Sequence, residues 1–252
     1  MIKKIYTNGC SWSAGDGVQE DPMFAHITGQ NVFTAINPLN HAWPACLGTI
    51  MDLPVFNDAW GGGSNERILR RLVEFTRELS EEERSETLIV IGWTSPDRGE
   101  IYLGEEKNYI VPDGWFRCNS AQKFSTYQQG VSKGTTEIVD RFQAHYVADI
   151  YDEEAAIQKH INQMILAKNL LENLKIPHLI FAGMFQFGYY TDDENVWKAL
   201  QGPGVIDLRT QSMRQFLHDN NYPLGPSIHP LVDGHKAWAE HLYKELQTRK
   251  II

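Results

Sequence analysis

A chain of 252 residues with 42% hydrophobic and 22% charged side chains has the balance of a globular protein with a sizeable core, which excludes a disordered or low-complexity chain. Its formal net charge of −9 excludes a surface built to neutralise nucleic-acid phosphates, because such surfaces need clustered Lys and Arg. No stretch approaches the ~20 apolar residues of a membrane span, and the first segment reaches polar Asn8 and Gly9 before a signal-peptide core could form. Cys10, Cys46 and Cys118 are widely spaced with no CxxC pair, so neither a disulfide framework nor a zinc site is expected. The expectation is a soluble, cytoplasmic protein with one domain over residues 1–252.

Short apolar runs at residues 2–6, 87–92 and 178–182 read as buried strands, with residues 54–57 and 205–208 as candidates for a fourth and a fifth. Between them lie helical periods. Ile68, Leu72, Phe75 and Leu79 share one face of a helix that Ser64 is placed to cap. From Asp152 onward Ile157, Ile161, Met164, Ala167, Leu171 and Leu174 recur at steps of three or four until Pro177. Trp238, Leu242 and Leu246 mark a last helix, with Asp233 as its expected cap. Alternation of this kind predicts an α/β fold, a mostly parallel sheet covered on both faces, whose ligands bind beyond the C-terminal ends of the strands. Residues 99–148 break the alternation. They are polar and turn-rich yet carry Tyr102, Tyr109, Trp115, Phe116, Phe124, Tyr127, Phe142 and Tyr146, so they read as an insertion over the site that acts as a lid, a binding loop or an interface.

The chemistry is therefore sought just after each strand. Ser11 lies in the turn Asn8-Gly9-Cys10-Ser11, where a hydroxyl projects from the sheet edge and free backbone N–H groups can hold an oxyanion; the plainer reading is a turn serine. Gly61-Gly62-Gly63 precede a helix N-terminus and let backbone approach a ligand closely, but no Gly-Lys-Ser/Thr ending follows as a phosphate loop requires. Trp93-Thr94-Ser95-Pro96-Asp97-Arg98 offers hydroxyl donors and an arginine for Asp97 or for a substrate carboxylate. His229 precedes Pro230 in a loop before the last helix, where an imidazole can be held as a base. His235 reads as a packing or capping residue. A metal site from His229, Asp233, His235 and His241 has poor spacing for zinc, so no metal or other cofactor is expected.

Taken together, these four segments resemble the blocks of the SGNH or GDSL hydrolase family. The resemblance implies a three-layer α/β/α sandwich of the flavodoxin-like type and an esterase that needs no cofactor. It places the nucleophile on Ser11, the base on His229 and oxyanion donors on Gly62 and Thr94; Trp12, Asn65, Trp93 and Arg98 are expected around the substrate. The implied substrate is a small-molecule or carbohydrate ester, an acetylated sugar for example. The chain departs from the family where Thr94 stands for its asparagine, Pro226 for the aspartate three residues before the histidine, and Cys10 for the aspartate before the serine. These departures leave a second expectation, a binding or accessory protein that keeps the fold with a degraded site.

Overall fold

The structure, a computed structural model, describes residues 1–26, 36–102, 115–119, 141 and 144–252. Four parallel strands, β1 (Lys4–Asn8), β2 (Val55–Asn57), β3 (Thr87–Trp93) and β6 (His178–Ala182), form a sheet in the order β2-β1-β3-β6. Tyr6 pairs with Phe56 on one side and Ile89 on the other, and Ile91 pairs with Ile180. The expected fifth strand shrinks to a single parallel bridge, Val205 to Ile180. Since β2 and β3 lie on opposite sides of β1, the chain reverses its direction of travel across the sheet there. In an open parallel sheet this is where a crevice forms beyond the strand ends.

Alternation along the strands sorts the core into two layers. Tyr6, Ile89, Ile91, Trp93, Ile180 and Ala182 pack under α3 (Asn65–Glu78), α5 (Glu153–Asn173) and α6 (Glu194–Leu200). Ile5, Leu88, Val90, Leu179 and Phe181 face α2 (Trp43–Met51), α7 (Met213–Asp219) and α8 (Val232–Thr248). The product is the α/β/α sandwich. Leu88, Ile89 and Val90 are wholly buried, each contributing about 2 kcal/mol of transfer free energy. Two short helices, α1 (Ser11–Ala14) and α4 (Glu81–Glu86), are also present among the described residues. Among the described residues no helix is long and apolar enough to cross a membrane.

Ser64 caps α3 as the sequence suggests, its Oγ accepting the Arg67 N–H at 3.2 Å. The last helix differs from expectation. It starts at Val232, so Asp233 lies inside its first turn, and Asp21 from far away in sequence accepts the Val232 N–H at 2.9 Å. Of the insertion, β4 (Arg98–Tyr102) and β5 (Trp115–Asn119) form an antiparallel pair, with Glu100 held by Arg70 of α3 at 2.8 Å. The expectation of a lid or binding loop falls largely on residues 103–114 and 120–140, which lie outside the described residues.

Candidate active site

The turn after β1 is built by polar residues that fold inward. Asn8 is fully buried, accepts the Gly9 N–H at 2.8 Å and donates to the Tyr6 hydroxyl at 3.0 Å. A Cβ on Gly9 would stand 2.3 Å from Ser13 Oγ and 3.1 Å from the Gly92 carbonyl, so only glycine fits. The chain then makes the single turn of α1, closed by Gly15 at φ +85°. The N–H groups of Gly15 and Asp16 return to the Ser11 carbonyl at 2.9 and 3.0 Å. Ser11 itself is 4% exposed, and among the described residues its hydroxyl makes no hydrogen bond. Trp12 is buried with the α2 and α8 side of the core, and Ser13 accepts the Trp43 indole N–H at 3.3 Å.

The glycine-rich loop lies directly on this turn. Asn57 at the end of β2 donates to the Ser13 carbonyl at 2.9 Å, and the Trp60 N–H reaches the Gly9 carbonyl at 3.2 Å. Gly61 carries the Asp16 carboxylate so closely that a Cβ would stand 2.5 Å from Oδ2. Gly62 takes φ +72°, a conformation that costs a side chain strain. Below, Asp58 gathers Arg67 (3.3 Å), Arg71 (2.8 Å) and the Tyr6 hydroxyl (3.0 Å). Burial and the Asp58 charge push the Tyr6 phenol up, so it stays a proton donor.

The segment after β3 is clamped from the α5 side. Asn65 is fully buried: its amide accepts the Thr94 N–H at 2.8 Å and donates to the Thr94 carbonyl at 2.9 Å, so both ends of the group are used within the fold. His160, whose importance the sequence reading missed, donates from Nε2 to the Pro96 carbonyl at 2.8 Å, leaving Nδ1 to accept from Asn65 at 3.4 Å. Burial, then the Lys159 charge, holds its pKa down to about 4, so the ring is neutral as that pattern demands. A histidine between Ile157 and Ile161 on an otherwise apolar face was the available signal. Trp93 is wholly buried in the α3 and α5 layer. The Thr94 hydroxyl and the Arg98 guanidinium both point at Met184 Sδ, at 3.7 and 3.5 Å.

From the other end of the chain comes His229. Gly17 passes beneath it, where a Cβ would stand 2.5 Å from His229 Cβ, and the Trp12 and His229 rings are 6.5 Å apart. The structure therefore brings the Ser11 and His229 segments together on one rim, although no hydrogen bond joins the two side chains among the described residues. Ser227 Oγ lies 3.0 Å from His229 Nδ1, and the Ser227 N–H is held by Glu20 at 3.0 Å. Ile228 between them has φ +63°, a strained choice for a β-branched residue. Burial lowers the His229 pKa; Asp16, Ser227 and Glu20 oppose the shift and Arg98 adds to it. His235, expected to be a packing or capping residue, is completely buried and accepts the Trp43 N–H at the start of α2, 3.2 Å from Nδ1. Two surface hollows, one lined by Gly48, Asp52 and Val55 and the other by Asp152, Ile157 and Tyr190, include none of these residues.

Comparison with solved structures shows the same fold elsewhere. The chain is 14% identical to a carbohydrate esterase described for divergent catalytic and non-catalytic binding functions at its active site, with a TM-score of 0.52 over 98% of this chain and 65% of that one. It is 13% identical to a carbohydrate esterase family 2 enzyme with a carbohydrate-binding domain from Corynascus thermopiles (Myceliophthora fergusii), with a TM-score of 0.50 over 98% and 66%. It thus spans a little under two thirds of the length of each. No curated protein matches the sequence. A model of a family of unknown function, DUF6071, matches residues 36–187, and the chain belongs to that family.

Proposed function

We propose that this protein is a serine-dependent esterase of the SGNH or GDSL type, acting on a small-molecule or carbohydrate ester with Ser11 as nucleophile and His229 as base. The observation that carries the reading is the packing of the Ser11–Gly17 turn against His229, with Gly17 directly under the histidine Cβ and the Trp12 ring 6.5 Å from the imidazole. The Ser227 contact at Nδ1 leaves Nε2 as the nitrogen for chemistry, and burial favours the neutral ring that a base must be.

In this mechanism His229 Nε2 takes the Ser11 proton as Oγ attacks the ester carbonyl. The oxyanion is held by the backbone N–H groups of Ser11 and Gly62, with the Thr94 hydroxyl as third donor. Collapse of the adduct breaks the bond to the alcohol, which leaves with the proton from His229. Water then loses a proton to the same nitrogen, attacks the acyl group and frees the acid, restoring Ser11. No cofactor enters. The unpaired thiols of Cys10 and Cys46 suit a reducing, cytoplasmic setting.

A second reading, a binding protein on the same fold, is favoured by the Thr94 hydroxyl being turned to Met184 Sδ and by proline at position 226. A fluorophosphonate probe separates the two. Covalent labelling of the wild type that disappears in Ser11→Ala supports the esterase; a folded wild type that takes no label refutes it.

A further inference from the structure

We propose that Arg98 is a receptor for a carboxylate carried by the substrate itself, so that the ester cleaved here belongs to an acidic molecule such as an acetylated sugar acid. The inference rests on the reading of Ser11 and His229 as the reacting pair and adds the charge of what they act on.

Arg98 opens β4 just beyond the C-terminal end of β3, on the same rim as Thr94, and the two side chains converge on Met184 Sδ. A thioether is a weak acceptor, and it is the only hydrogen-bond partner of this guanidinium among the described residues. Nε and NH1 are both buried without an acceptor, and no carboxylate among the described residues comes within 4 Å. The neighbouring arginines are treated otherwise: Arg67 and Arg71 are paired to Asp58 and Arg70 to Glu100. Asp97, one residue before Arg98, makes no ion pair with it among the described residues, and its own Oδ1 is buried without a hydrogen-bond partner.

Burying charged N–H donors without acceptors is unfavourable, and a planar fork of this kind is matched by a carboxylate that can take two of its hydrogens at once. Because Arg98 and Thr94, the proposed third oxyanion donor, converge on the same sulfur, an anion held by Arg98 would lie on the Thr94 side of the proposed site.

The test uses two probes that differ in one group, an O-acetylated glucuronic acid and its methyl ester, titrated into the full-length Ser11→Ala protein, which cannot turn either over. The acid is expected to bind about ten- to a hundredfold more tightly than the methyl ester, the worth of one charge-assisted pair. Arg98→Gln in the same background is expected to bring the two affinities together, while Arg98→Lys keeps part of the difference. Equal affinities in Ser11→Ala, no binding of either probe, or a preference that survives Arg98→Gln in a protein with an unchanged melting temperature would overturn the proposal. Fluorophosphonate labelling of the otherwise wild-type chain is read separately. Acid binding without labelling keeps the anion site and removes the esterase reading, and labelling without acid preference does the reverse.

Discussion

His235 offers the most direct test of how this structure is held together. Burial foremost, then the nearby His229, lowers its pKa to about 3, whereas in the unfolded chain it returns to about 6.5. Between those values the unfolded chain binds a proton that the folded one refuses, so the stabilisation is complete above pH 6.5 and is lost as pH falls toward 3. Between pH 7 and pH 5 the linkage amounts to about 2 kcal/mol for this one ring. In His235→Asn the amide oxygen can still accept the Trp43 N–H that Nδ1 accepts now, while the titration is gone. The variant is expected to be less stable at pH 7 by about 1–2 kcal/mol, because ring volume is lost from a packed site. Urea unfolding followed by tryptophan fluorescence at both pH values gives the comparison. On acidification the variant should lose about 2 kcal/mol less than the wild type; identical losses would mean that the folded protein protonates His235 freely and that its burial is misread.

Two further expectations concern the rim. Gly17→Ala places a methyl where His229 Cβ already stands, at a backbone φ of +88°, and a displacement of about 1 Å at a reacting group lowers turnover about a hundredfold; the rate of fluorophosphonate labelling measures it, and an unchanged rate would separate His229 from the chemistry. If the proposed mechanism holds, the rate of ester hydrolysis should fall on the acid side as His229 gains its proton, at a pH below the usual histidine value because burial lowers its pKa. Asp16 opposes that shift, so Asp16→Asn should move this limb of the pH–rate profile to still lower pH, and a move upward would contradict the arrangement.

The sheet was readable because its strands are apolar runs that alternate between two helical layers. Its edges were less so. The first strand runs on to Asn8, two residues past the apolar run, because Thr7 and Asn8 are buried with partners, Asn57 for one and Tyr6 with Gly9 for the other. Helix α2 was missed because Pro44 and Gly48 interrupt the helical signal; the proline sits in the first turn, where no donor is needed, and Gly48 makes room for Val55. At the site, the segments of Ser11, Gly62, Thr94 and His229 were each visible as strand-end or loop motifs. Trp12, Asn65 and Trp93, expected near the substrate, are all buried in the fold. The partners that hold the rim, Glu20 for Ser227, Asp21 for Val232 and His160 for Pro96, are joined across 207, 211 and 64 positions. No local pattern encodes such pairings, since they arise only when the sheet brings distant loops to one edge.

The two acids at positions 20 and 21 act as hooks: one secures the loop that carries the imidazole, the other the start of the helix behind it. Whatever loosens residues 18–24 therefore also frees the histidine loop and, in the proposed mechanism, disarms its base, even if every strand stays in place. Local fraying there, visible as faster amide exchange at Ser227 and Val232, should silence the protein well before its core begins to melt.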